Sequence, residues 1–251
     1  MLSALSIVAA VSSSAAFALT APGGGVVGSI HDMNLYPGVS TGTGKDTQGR
    51  VCAFCHTPHH ALTVGNDYLP LWSHILPEGT YQPYKSATID ATINAATMMD
   101  GPSKLCMSCH DGAIAVDTHY STTDNGTKHL DSDDWGKPAV GLSTSSLSND
   151  HPIGFVYDDV AAGSAEGLPG SSTEKGKDNY IKNSAAYYNA NPTISIASRL
   201  YAKDAASKAI MTCATCHDVH NKKNVDDPSK TNYLLLSPNT NSQICLSCHI
   251  K

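Results

Sequence analysis

Along most of this chain apolar residues recur without a usable period, and the exceptions are short. Residues 2–18 are an uncharged run of Leu, Ile, Val, Ala and Ser that closes on Ala16-Phe17-Ala18. It falls short of the ~20 apolar residues a bilayer requires. The A-x-A ending instead reads as the cleavage site of a secretory signal peptide, although no Lys or Arg precedes the run. Residues 20–49 are dominated by Gly, Ser, Thr and Pro and predict an extended arm with little regular structure. Residues 121–191, rich in Ser, Thr, Asn, Asp and Gly, predict mainly loop. One helix of ordinary length is predicted, over residues 194–211, where Ile196, Leu200, Ala206 and Ile210 recur on three- and four-residue steps. Two shorter helices are expected, one capped by Ser103, running to His110 and stopped at Gly112, the other following Ser242.

Composition sharpens this picture. Aromatic residues are 6 % of the 251 and Phe only 3, too little large apolar mass for an ordinary packed core. The formal charge of −6 makes nucleic acid and anionic membrane surfaces poor partners. No segment after the leader predicts a membrane span.

Cysteine usage supplies what the core lacks. All 8 cysteines fall in four copies of C-x-x-C-H: Cys52-Ala53-Phe54-Cys55-His56, Cys106-Met107-Ser108-Cys109-His110, Cys213-Ala214-Thr215-Cys216-His217 and Cys245-Leu246-Ser247-Cys248-His249. A disulfide framework or a four-cysteine zinc site has no use for the histidine. With 12 histidines in 251 residues, chance would place one behind all four pairs on the order of once in 10⁵. The pattern is the attachment signature of c-type haem, in which two thiols add to the porphyrin vinyl groups and the next histidine becomes the proximal iron ligand. Four covalent haems would supply the missing apolar mass, making residues 19–251 one tetrahaem domain. Export suits this chemistry, since cytochrome c maturation takes place outside the cytoplasm.

The sixth iron ligand separates a wire from an enzyme, because a haem with two protein ligands has no open face for substrate. Beyond the proximal His56, His110, His217 and His249, eight histidines remain: His31, His59, His60, His74, His119, His129, His151 and His220. That suffices for bis-histidine ligation at every iron, with Met33, Met98, Met99, Met107 and Met211 as weaker alternatives. His59 and His220 each stand three residues after a proximal histidine, an offset that directs the second ring toward a neighbouring haem. Pro152 rigidifies His151, and His31 stands alone in a polar arm. His74 stays open; His60 reads as a bystander of His59, and His119 and His129 as surface residues.

Taken in order, Gly28-Ser29-Ile30-His31-Asp32, Thr57-Pro58-His59 behind the first motif, Pro70-Leu71-Trp72, Ser103-Lys104-Leu105 before the second and Asp111-Gly112 after it, His151-Pro152-Ile153-Gly154-Phe155 and Asp218-Val219-His220-Asn221 form a distinctive set. Over residues 28–251 it resembles the OmcE-type tetrahaem c-type cytochromes, the extracellular cytochrome nanowire family. The resemblance implies a mostly irregular chain with short α-helices around the haem-attachment motifs and very little β structure. It also implies stacked bis-histidine haems and filaments in which one subunit donates a histidine to a haem of the next. Carried over by position, His59 is the donor, while His31, His151 and His220 ligate within the subunit, with His60 and His74 in reserve. The expected function is conduction of electrons along a secreted filament, toward redox proteins or extracellular acceptors.

Two rivals remain. A monomeric periplasmic tetrahaem shuttle would take all four distal ligands from its own chain. A multihaem reductase would need one five-coordinate haem, often on a C-x-x-C-K motif, whereas all four motifs here end in histidine. The sequon Asn125-Gly126-Thr127 reads equally as a glycan site or as ordinary polar loop.

Overall fold

The computed structural model describes residues 25–35, 46–63, 68–86, 89, 91–118, 139–140, 146–163, 181–221 and 233–250. The expected signal peptide at 1–18, His119, His129 and the sequon at Asn125 lie outside these residues. Irregular backbone predominates among them. Short helices interrupt it at α1 (Pro102–His110), α2 (Tyr157–Gly163) and α3 (Gln243–Cys248). Strands β1 (Tyr187–Tyr188) and β2 (Asn191–Ser195) form an antiparallel two-stranded sheet. The mostly irregular chain with short helices and very little β is therefore observed, and among the described residues no helix is long and apolar enough to cross a membrane.

Helix α1 starts as a short capped helix should, but not from the expected residue. Gly101, at φ 63°, occupies the cap position and Pro102 follows at the first helical position, where its missing N–H costs nothing. Ser103 is spent elsewhere, its hydroxyl accepting a hydrogen bond from Cys213 N at 3.1 Å. At the other end Gly112, at φ 73°, stops the helix as expected. Ser242 does hold the cap position of α3, but in left-handed backbone (φ 56°) with no side-chain cap bond.

The helix predicted over residues 194–211 is not formed. Its first residues belong to β2, a 3-10 turn follows at Ala197–Arg199, and Tyr201 then pairs with Ile210 through N···O bonds of 3.0 and 2.8 Å. The physical reason lies in local competitors that the apolar spacing hides. Pro192 and the β-branched Thr193, Ile194 and Ile196 favour extended backbone. The Asp204 carboxylate accepts from Ala206 N (3.0 Å) and from the Ser207 hydroxyl (2.7 Å), offering the backbone a turn in place of a helix. Conversely, α2 and β1 arise within the stretch expected to be loop.

Two modest apolar clusters hold the described residues together. The larger gathers Phe155, Tyr157, Tyr188, Ile196, Met211 and Leu236, with Cys216 and Cys248 packed against its edge. Tyr81, Met98, Met107 and Leu147 form the smaller one. Met98, Met107 and Met211 are buried in these clusters.

Candidate metal centres

Each C-x-x-C-H sits on one helical turn, so cysteines three apart project to the same side. Motifs one and three lie on the 3-10 turns Val51–Phe54 and Cys213–Thr215, and motifs two and four close α1 and α3. The turn carries through to the histidine: His56 N donates to Cys52 O at 2.8 Å, His217 N to Cys213 O at 3.1 Å and His249 N to Cys245 O at 2.8 Å.

The histidine rings are then matched across the chain. His56 faces His220 at 6.3 Å between ring centres, His110 faces His31 at 5.9 Å, and His249 faces His151 at 6.4 Å. A metal–imidazole bond is about 2 Å and the ring nitrogen lies about 1.1 Å from the ring centre, so imidazoles on opposite sides of one iron would stand about 6.2 Å apart. Each pair joins one motif histidine to one spare histidine at that spacing. His217 and His59 are exposed and face no histidine ring among the described residues.

Backbone carbonyls orient several of these rings. His56 Nδ1 donates to Pro70 O at 2.6 Å, His217 Nδ1 to Tyr233 O at 2.7 Å and His151 Nδ1 to Pro152 O at 3.0 Å. A carbonyl opposite Nδ1 requires the hydrogen there and leaves Nε2 with its lone pair, the tautomer a metal needs. Trp72 packs edge-on to His56, 5.8 Å between ring centres. Asp218 braces motif three: one carboxylate oxygen accepts from Arg199 Nη2 at 2.6 Å and the other from His220 N at 3.0 Å.

His31 is half-buried, and its Nδ1 is buried without a hydrogen-bond partner. Burial, followed by the charges of His110, His217 and His220, lowers its pKa to about 4. Folding thus holds the proton off His31, so the haem-free chain loses stability as pH falls from 6.5, the ordinary value, toward about 4. A His31→Leu chain is expected to lose less over that window in urea titrations. An unchanged pH slope would show that other groups set it.

The sulfurs influence one another in sequence order: Cys109 raises the pKa of Cys55, Cys213 that of Cys106, and Cys248 that of Cys216. Burial pushes Cys55, Cys109 and Cys216 up to about 12. All eight cysteines are free. Among the described residues no three His, Cys, Asp or Glu side chains gather as a metal-ligand cluster.

The donor set fits haem c: paired free thiols on one side of each turn, followed by a histidine, with opposing imidazoles at an iron-spanning distance for three of four motifs. Cys52, Cys55, Cys106, Cys109, Cys213, Cys216, Cys245 and Cys248 would hold the macrocycles. His74, left open by sequence, is fully buried with Nε2 3.6 Å from Cys109 Sγ, placing it against the second motif's sulfur. Sequence reasoning missed Asp218, Arg199 and the carbonyls of Pro70 and Tyr233. Only the Asp218-x-His220 spacing, an Asx turn, hinted at any of them. Compared with protein-family profiles and with curated proteins, the chain matches none.

Proposed function

We propose that this chain is an exported tetrahaem c-type cytochrome that polymerises into a filament and conducts electrons along bis-histidine haems. The observation that carries this reading is the set of three imidazole pairs at 5.9–6.4 Å, each uniting one C-x-x-C-H histidine with His31, His151 or His220. When bound, haem c supplies one-electron transfer between its ferric and ferrous states.

The chain's own residues do the rest. With haem bound, the imidazoles of His31 and His110, His56 and His220, and His151 and His249 would hold three irons from both sides, leaving no open face for substrate and favouring low potentials. The charges of Cys109, Cys213 and Cys248 are felt at Cys55, Cys106 and Cys216, so successive motifs are neighbours, which supports a path through the subunit. His217 is the motif histidine without an opposing ring among the described residues, and His59 is a spare histidine left exposed. A monomeric shuttle must complete His217 from its own chain; a filament completes it from a neighbour.

A haem count and a spectrum test the reading. The purified secreted protein should give four haems per chain by pyridine haemochrome and a wholly low-spin ferric spectrum that resists cyanide. Fewer haems, or a substantial high-spin signal in the assembled form, would overturn it.

A further inference from the structure

Motifs one and three, the two that lie on 3-10 turns, are held by one construction that occurs twice. Around motif one, His56 Nδ1 donates to Pro70 O (2.6 Å), Thr57 N to Leu71 O (2.7 Å) and Ser73 N to Cys55 O (2.9 Å). Around motif three, His217 Nδ1 donates to Tyr233 O (2.7 Å), Asp218 N to Leu234 O (2.7 Å) and Leu236 N to Cys216 O (3.0 Å). The motifs themselves turn alike, with Cys55 at φ −111°, ψ −37° and Cys216 at φ −107°, ψ −32°. Antiparallel bridges complete the match, His56 with Trp72 and His217 with Leu235. The intervening loops are not alike, since the carbonyl that meets the ring comes 14 residues after His56 but 16 after His217. The same bonds reached through different loops point to a requirement of the site, not of the loop.

That requirement falls on one residue in each copy. In regular extended backbone successive carbonyls point to opposite sides, so consecutive residues do not serve the same neighbour. Pro70 and Leu71 both serve motif one, and Tyr233 and Leu234 both serve motif three. The chain achieves this by turning over at the second residue: Leu71 has φ 55° and Leu234 φ 59°, the left-handed region that residues with side chains disfavour. Side-chain burial is not the shared reason, because Leu71 is 56 % exposed and Leu234 only 2 %. A backbone outlier repeated beside two motif histidines is the kind of strain that functional sites hold.

The bond it secures has two effects on the ring. A carbonyl on Nδ1 fixes the ring's rotation, and by drawing on the Nδ1 proton it makes Nε2 a stronger donor to a metal. A stronger donor favours the ferric state and lowers the potential, and such hydrogen bonds are one of the levers a protein has on a haem. We propose that Leu71 and Leu234 are positioning residues of the first and third haem sites: their left-handed backbone aims the carbonyls of Pro70 and Tyr233 at the motif histidines and so holds those two potentials down. The inference rests on the tetrahaem reading and adds to it the residues that tune two of its four sites.

Leu71 is the residue to change, because its exposed side chain leaves little packing to lose. Leu71→Pro fixes φ at about −65° and should turn the carbonyls away, whereas Leu71→Gly adopts the left-handed backbone freely. Redox titration of the purified four-haem protein should show one of the four midpoint potentials moved upward in Leu71→Pro and the wild-type set restored in Leu71→Gly. The ferric electron paramagnetic resonance signal of that one haem should change with it, because the signal reports ring rotation. A merely structural role for Leu71 would lower stability and leave every potential in place. Four unmoved potentials in Leu71→Pro, or an equal shift in Leu71→Gly, would overturn the proposal. Should the proline variant not fold, a structure of the wild-type protein with haem bound reads the same point: Pro70 O on His56 Nδ1 and Tyr233 O on His217 Nδ1 support it, and either carbonyl turned away overturns it. A wild-type haem count of zero would instead sink the tetrahaem reading itself.

Discussion

Replacing His220 by Ala is expected to leave filaments of full length carrying one iron per subunit open to cyanide, while replacing His59 by Ala leaves unpolymerised chains with four haems. The two residues are local equivalents, each three positions after a motif histidine and each fixed by the residue two before it. Their surroundings differ. The His220 ring lies nearly parallel to that of His56, at 18° and 6.3 Å, within the same chain. Its loss opens a site but breaks no contact between copies. His59 and His220 are both exposed, but only His220 lies beside a motif histidine among the described residues; on the filament reading, losing His59 removes a ligand from every joint. Each ~1.4 kcal/mol lost is a factor of ten in association, so a joint weakened by only about 4 kcal/mol needs about a thousandfold more protein to grow. Negative-stain microscopy of the secreted fraction and a haem count on the same sample decide the matter. Equal filament yields from the two variants would refute the distinction between an internal and an external histidine.

The turns that carry the four motifs were legible in the sequence because they are local. A C-x-x-C-H motif needs one helical turn, and all four motifs lie on such turns whatever surrounds them. His31, His151 and His220 do lie beside motif histidines, but which motif each approaches was not legible, since His220 reaches back to His56 across most of the chain. Residues 194–211 misled because apolar spacing ignores the side-chain hydrogen bonds of Asp204 and the extended preference around Pro192. Ser103 misled in the opposite way: a good cap residue was taken by a distant partner, Cys213 N. The likeness of motifs one and three, where Thr57 N donates to Leu71 O and Asp218 N to Leu234 O, stayed hidden because the spacers after them differ in length, residues 57–105 against residues 218–244. What they share is a pattern of backbone bonds through positions as unlike as Pro70 and Tyr233, and no identity matching would align these.

Gly154→Ala should be the most destabilising single methyl addition among the described glycines. Gly154 follows His151, Pro152 and Ile153, and its backbone takes φ 78°, a region that costs side-chain-bearing residues energy. It is also clamped: Gly154 N donates to Met211 O at 2.8 Å, and Met211 N donates to Phe155 O at 3.0 Å. A Cβ there would lie 2.3 Å from Met98 Cα and 2.4 Å from Met98 Cβ. Those atoms are close to the main chain of a residue 1 % exposed in the smaller apolar cluster, so no flexible side-chain end can swing away. Backbone strain and overpacking together cost on the order of 3–5 kcal/mol, a large share of the ~5–15 kcal/mol that holds a typical protein folded. Gly49→Ala provides the control, because Gly49 has φ 66° but nothing within 4 Å of the added carbon, leaving only the strain of about 1 kcal/mol. Denaturant titration should therefore separate the two variants by at least ~2 kcal/mol. The damage should also reach the spectrum, because displacing residues 151–154 moves His151 from its place 6.4 Å from His249. A motif-four iron that becomes high-spin in Gly154→Ala but stays low-spin in Gly49→Ala would tie the close approach of Gly154 and Met98 to the positioning of that ligand. Equal stabilities for the two variants would mean that Met98 yields and that the contact positions nothing.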